Sequence, residues 1–207
     1  MSKIEFEPTD NKVGCFIYTN LKEVKKEQID EIKKLLNKYG VLFFKNQKLN
    51  PEQYINFSSN FGTPAKYPML KPHKDFKDIY VIERKKTDTG KSFGEGPHTD
   101  SSYLENPPRF TFLQAIDVPE EGKGNTLFYN QFLAYEALPK EIKQKIENLK
   151  GIFSSQGKIA QTRTLRMADH GTSGTKEIRS EHNLVQLING RKTIYCSPGH
   201  VVGIANL

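Results

Sequence analysis

Ile29, Ile32, Leu36 and Tyr39 recur at the spacing that lines up apolar side chains on one helix face, and Gly40 follows as a stop. Val41 to Phe44 is a short unbroken apolar run, which reads as a buried strand. Asn50-Pro51-Glu52-Gln53 then has helix-start chemistry: Asn50 caps, Pro51 takes the first helical position, and Gln53 can reach back to the cap. Tyr54, Phe57 and Phe61 form that helix's apolar stripe, and Gly62 ends it. The first sixty residues therefore read strand, helix, strand, helix.

From Ile79 the pattern turns towards strands. Ile79 to Ile82 is one, Arg109 to Asp117 alternates with period two, and Thr126 to Tyr129 is a third. Gln131 to Leu149 reads helical with a break at Pro139, and Ile152-Phe153 opens another strand. Residues 154–180 are polar and aperiodic, the signature of a functional loop or lid. Leu184 to Ile188 and Arg191 to Cys196 flank Asn189-Gly190, a strong two-residue hairpin signal. Strands separated by long loops suggest a curved, barrel-like β fold with the early helices packed outside it. No internal repeat or linker divides the 207 residues, so the expectation is a single domain over 1–207.

Composition narrows the function classes. No apolar run approaches the roughly 20 residues needed to cross a bilayer, and Met1 to Asp10 lacks the apolar core of a signal peptide. The expectation is a cytoplasmic protein with no membrane partner. Cys15 and Cys196 fit no metal spacing and read as reduced, buried thiols. The net charge of +7 raises nucleic-acid binding, but only six of the 31 basic residues are Arg. The densest basic stretch, Lys22 to Lys38, is interleaved with Glu23, Glu27, Asp30 and Glu31, as on a solvated helix face. No nucleic-acid partner is expected.

The candidate chemistry sits at His98-Thr99-Asp100. On an extended segment residues i and i+2 point to one face, so an imidazole and a carboxylate can grip the same ion. A His-x-carboxylate pair plus one distant His is the facial triad of non-heme Fe(II) oxygenases. Taken alone, the triplet reads as readily as a surface His beside a turn-capping Asp.

The surrounding run, Gly96-Pro97-His98-Thr99-Asp100-Ser101-Ser102-Tyr103-Leu104-Glu105-Asn106-Pro107-Pro108, resembles the metal-binding segment of the taurine dioxygenase-like (TauD/TfdA) family of Fe(II)- and 2-oxoglutarate-dependent dioxygenases. The likeness continues at Gly124-Asn125-Thr126-Leu127-Phe128, Ala134 to Leu138, Asn189 to Lys192 and Tyr195 to His200. Upstream it includes Tyr39 to Phe44, Leu49 to Gln53 and Phe61-Gly62.

The resemblance implies a mostly β fold with packed helices, a double-stranded β-helix (jelly roll) of the clavaminate synthase-like kind. It implies His98 and Asp100 as metal ligands, and Thr126 as a hydroxyl that helps bind 2-oxoglutarate, with Asn125 where an Asp is usual. Fe(II), 2-oxoglutarate and O2 would be the cofactor and cosubstrates, and a small, anionic organic molecule the substrate. Tyr67 and Gly94 stand where taurine-using members hold the sulfonate, so taurine itself is not expected. The family's distal His motif with its Trp, and the Arg that pairs with 2-oxoglutarate, have no counterpart before Leu207. The expectation is thus a C-terminally incomplete dioxygenase domain lacking its last strands, prone to self-association through unpaired edges. The competing reading is a non-catalytic or vestigial jelly-roll binding protein without the complete iron site. As stand-ins for the third ligand, His73, His170 and His182 rank below His200.

Overall fold

The structure is a computed structural model that describes residues 4–11, 13–162 and 176–206. The chain forms two compact units, residues 1–64 with 112–130 and residues 65–111 with 131–207.

The first unit holds β1 (Phe6–Pro8), β2 (Cys15–Ile17), α1 (Lys26–Tyr39), β3 (Leu42–Phe44) and α2 (Pro51–Ser59). Strand β2 pairs antiparallel with β1 and parallel with β3, matching Cys15 to Leu42 and Ile17 to Phe44. Helix α1 buries Ile29, Ile32, Leu35 and Tyr39 and stops at Gly40. Leu35 takes the inward place expected of Leu36, which is half-buried. Each such side chain withdrawn from water contributes roughly 1.5–3 kcal/mol. The start of α2 is the reciprocal cap read from sequence: Gln53 N–H donates to Asn50 Oδ1 (2.8 Å) and Asn50 N–H to Gln53 Oε1 (3.0 Å). Phe57 meets Phe44, Phe61 and Phe112 edge-on, closing this unit's core.

The second unit contains α3 (Gln131–Ala137), α4 (Lys140–Ile146), β4 (Lys150–Ser154), a 3-10 turn (Lys158–Thr162), β5 (Arg179–Asn183), β6 (Val185–Ile188), β7 (Arg191–Ile194) and β8 (Val201–Ile204). The helix break falls at Pro139, as the sequence suggests. Strand β4 is central, antiparallel to both β5 and β8. Strands β6 and β7 form the Asn189-Gly190 hairpin, whose two turn residues have φ of 49° and 78°. Positive φ at both positions is what such a turn requires. Met69, Tyr103 and Phe153 form the core of this unit. Cys15 is buried in the first unit as expected, but Cys196 is exposed, because it lies past the end of β7 and outside that core.

The architecture is therefore mixed sheets and helices, and three expected strands are corrected. Residues 79–82, 109–117 and 126–129 form no ladder among the described residues. The alternation at 110–115 is real, since Phe110, Phe112 and Gln114 are half-buried while Thr111, Leu113 and Ala115 are exposed. Alternation reports which face is covered. A strand also needs a backbone opposite to take its N–H and C=O groups. Leu113, Ile116 and Leu127 are accordingly 76%, 86% and 73% exposed. No helix among the described residues is long and apolar enough to cross a membrane.

Candidate metal centre

His98 and Asp100 lie in the second unit, on a segment without regular secondary structure that enters a turn at Asp100. Their side chains converge, with His98 Nε2 3.1 Å from Asp100 Oδ1. Each is fixed through its other polar atom. His98 Nδ1 lies 2.8 Å from the Gly96 carbonyl, which can only accept, so Nδ1 carries a proton; the Asp100 carboxylate likewise only accepts, so in the metal-free pair Nε2 shares a second proton with Oδ1. Thr111 Oγ1 donates to Asp100 Oδ2 at 2.8 Å, leaving Oδ1 turned towards the imidazole.

Between the two residues, Thr99 N–H donates to the buried Ser197 Oγ at 3.1 Å. Gly199 presses on the same segment. A Cβ at Gly199 would lie 2.9 Å from His98 Cβ and 3.0 Å from Pro97 O, so the close approach needs glycine.

The pair is coupled electrostatically. The hydrogen bond with Asp100 raises the His98 pKa above its ordinary value, against the opposing effect of burial; the Gly96 carbonyl and the Asp100 charge add to the rise. The same bond lowers the Asp100 pKa, again against burial, helped by Thr111 and by the charges of His98 and His200.

The donor set fits a divalent metal. Two neighbouring ligands on an octahedral ion with bonds of about 2.1 Å sit about 3.0 Å apart, close to the 3.1 Å between Nε2 and Oδ1. A backbone carbonyl holding the far imidazole N–H is also the usual second contact of a ligating His. Among the described residues no third His, Cys, Asp or Glu joins the pair.

The other candidates are placed as follows. His200 is buried, with its ring 6.3 Å from that of His98 and 5.0 Å from that of Tyr103, and its Nδ1 lies 3.2 Å from Ser154 O. It is near the pair without completing a ligand group. His182 faces Ser180 and Leu104, and His73 accepts from Asp75 N–H. His170, Arg163 and Arg166 lie outside the described residues, and Arg179 is paired with Glu177 at 2.8 Å. Gly94 lies beside the His98 ring, 3.4 Å separating its would-be Cβ from Cε1, and Tyr67 stacks edge-on with Tyr80. Thr126 belongs to the first unit, where it is exposed on an unpaired stretch.

Sequence reasoning missed Thr111 and Ser197, the two hydroxyls that hold the pair. Thr111 was legible only as one outward position of an alternating run, and Ser197 carries no local signal.

Residues 5–207 match the sequence profile of the taurine catabolism dioxygenase TauD, TfdA family. The alpha-ketoglutarate-dependent 2,4-dichlorophenoxyacetate dioxygenase of Cupriavidus pinatubonensis is 30% identical over 139 residues, 59% of this chain and 48% of that protein. An alkylsulfatase of Acinetobacter baylyi is 31% identical over 136 residues, 65% of this chain and 41% of the other. Among solved structures, a taurine dioxygenase from Burkholderia xenovorans superimposes with a TM-score of 0.71 at 23% identity, covering 99% of this chain and 67% of that one. The chain spans about half the length of the curated relatives it matches.

Proposed function

Because the chain belongs to the TauD, TfdA family, we propose that it forms the metal-binding part of an Fe(II)- and 2-oxoglutarate-dependent dioxygenase that oxidises a small organic anion. The observation that carries the reading is the 3.1 Å convergence of His98 Nε2 and Asp100 Oδ1, each with its second polar atom already tied. In this reading both residues are metal ligands, and Thr126 contributes a hydroxyl to 2-oxoglutarate. The fold around them is the jelly roll of the family.

Fe(II), with 2-oxoglutarate and O2, supplies the oxidising power to attack an unactivated C–H bond, which no side chain possesses. The chain's own share is positional. Gly96 holds the proton on His98 Nδ1, so that Nε2 is the atom that can ligate once its own proton leaves, Thr111 aims Asp100 Oδ1, and Ser197 and Gly199 fix the backbone between and beside them. Proton chemistry at the pair is simple. The proton shared by Nε2 and Oδ1 would have to leave before these two atoms could hold a metal, so metal binding and protonation of the pair would compete.

The relatives support this substrate class, since their names describe an aryloxyacetate and alkyl sulfates. A carboxylate, sulfate ester or sulfonate on a small organic body is common to such molecules. Tyr67 and Gly94 offer no imidazole or amide for a sulfonate at the positions taurine-using members employ, which favours an anion other than taurine.

The competing reading, a jelly-roll binding protein without turnover, draws on the absence of a third donor among the described residues. Succinate release from 2-oxoglutarate, with Fe(II), ascorbate and a panel of alkyl sulfates, sulfonates and aryloxyacetates, separates the two. The dioxygenase reading expects release that rises with one substrate class and disappears in Asp100→Ala. Metal binding without succinate release on any of the panel would favour the binding protein. Release unchanged in Asp100→Ala would refute the site.

A further inference from the structure

We propose that Ser180 and His182 are positioning residues: from β5 they clamp the turn that follows Asp100 and so aim its carboxylate. The proposal rests on the reading of His98 and Asp100 as metal ligands.

The turn runs from Ser101 to Leu104, closed by Leu104 N–H donating to Ser101 O at 2.9 Å. Ser101 has φ of +50°, a left-handed conformation that a non-glycine residue keeps only where its surroundings hold it. Two of the turn's carbonyls are taken by side chains from β5. Ser180 Oγ donates to Ser102 O at 3.1 Å, and His182 Nε2 lies 3.0 Å from Leu104 O and 2.8 Å from Ser180 Oγ.

One proton arrangement satisfies all three contacts. Leu104 O can only accept, so Nε2 carries a proton. The Ser180 hydroxyl spends its proton on Ser102 O and turns a lone pair to the imidazole N–H, which it shares with Leu104 O. The imidazole proton at Nε2 is thereby fixed in place, and both side chains grip the turn as a unit.

The clamp is itself anchored. Ser180 and His182 are two apart on β5 and stand opposite Phe153 and Gly151 of β4. The His182 ring meets Phe153 (5.2 Å between centroids) and Tyr195 (5.6 Å) edge-on. Phe153 is fully buried and belongs to the core of this unit. A continuous path therefore runs from the core, through the β4–β5 register, to the residue after Asp100. Losing the clamp frees Ser101 to return to negative φ, which rotates the carboxylate away from His98 Nε2.

The test uses the full chain and Mn(II), read by loss of the free-ion electron paramagnetic resonance signal, with thermal melting alongside. His182→Phe keeps a ring against Phe153 and Tyr195 but removes the N–H. His182→Gln restores a donor near the Nε2 position, and Ser180→Ala removes only the hydroxyl. The expected result is Mn(II) binding at least about tenfold weaker in His182→Phe, the scale on which outer-shell partners of metal ligands act. His182→Gln should recover most of that loss, and Ser180→Ala should fall in between, all three melting close to wild type.

Wild-type Mn(II) affinity in His182→Phe, while Asp100→Ala loses binding, overturns the clamp and leaves the metal site standing. A wild-type chain that takes up no Mn(II), or an Asp100→Ala chain that binds as well as wild type, overturns both. If His182→Phe does not fold, Ser180→Ala and His182→Gln decide: wild-type affinity in Ser180→Ala, or none recovered in folded His182→Gln, refutes the clamp.

Discussion

Gly199→Ala is the sharpest structural perturbation of the centre, because it adds one methyl group without straining the backbone. Gly199 is not among the glycines of positive φ, so alanine is conformationally admissible there. The added Cβ would nevertheless meet His98 Cβ at 2.9 Å, Pro97 O at 3.0 Å and Ile159 Cβ at 3.3 Å. Neither a backbone oxygen nor a Cβ can swing aside as the end of a flexible side chain does, so the segment 97–98 has to move. Overpacking of this kind costs about 1–3 kcal/mol. For a chain of 207 residues that is a fall of roughly 2–12 °C in melting temperature, at about 2–4 °C per kcal/mol.

The displacement falls on the ligand backbone itself, so Mn(II) affinity should drop at least about tenfold as well. Gly203→Ala is the internal control, since its Cβ would touch only Ile152 Cδ1 at an ordinary 3.7 Å. Melting by circular dichroism and Mn(II) titration of both variants form the assay. If Gly199→Ala melts with wild type and binds Mn(II) equally well, the claim that Gly199 holds the His98 segment in place is wrong.

Further outcomes follow from the same geometry. In metal-free protein the His98 imidazole, followed by NMR, should titrate above its ordinary value of about 6.5, and Asp100→Asn should bring that midpoint down. The raised His98 pKa contributes stability in full below about pH 6.5 that is lost as pH rises through the raised value, and the lowered Asp100 pKa contributes stability above about pH 4 that is lost as pH falls through the lowered one. The pair is therefore strongest between the two, and a stability profile unchanged by Asp100→Asn across that window would contradict it. Gly190→Ala places a Cβ at φ of 78° in the β6–β7 turn and should cost about 1–2 kcal/mol by denaturant unfolding. Asn50→Ala removes the acceptor for Gln53 N–H and should cost about 1 kcal/mol in the same measurement.

What could be read from sequence was what local chemistry determines. The cap of α2, the Gly40 stop, the break at Pro139 and the Asn189-Gly190 turn each depend on residues within four positions of one another, and all are present. His98 and Asp100 face each other for the same reason, being only two residues apart. The failures were non-local. Phe110 to Ala115 alternates as a strand should, yet pairing is decided by a backbone elsewhere in the chain, which alternation does not report.

Strand β5 shows the converse. Arg179-Ser180-Glu181-His182-Asn183 has no apolar residue, so hydrophobic periodicity cannot find it. Its inward positions are Ser180 and His182 because what they meet is carbonyl oxygen. Ser197 and Thr111 were illegible on the same ground: each is defined by a hydrogen bond to a partner 98 or 11 residues away.

The most direct measurement is a crystal of the full chain grown with Mn(II), examined for anomalous scattering. A peak is expected within about 2.2 Å of both His98 Nε2 and Asp100 Oδ1, lost in Asp100→Ala. A peak that touches only one of these atoms, or a bound ion elsewhere with this pair still hydrogen-bonded to itself, would contradict the assignment of the centre.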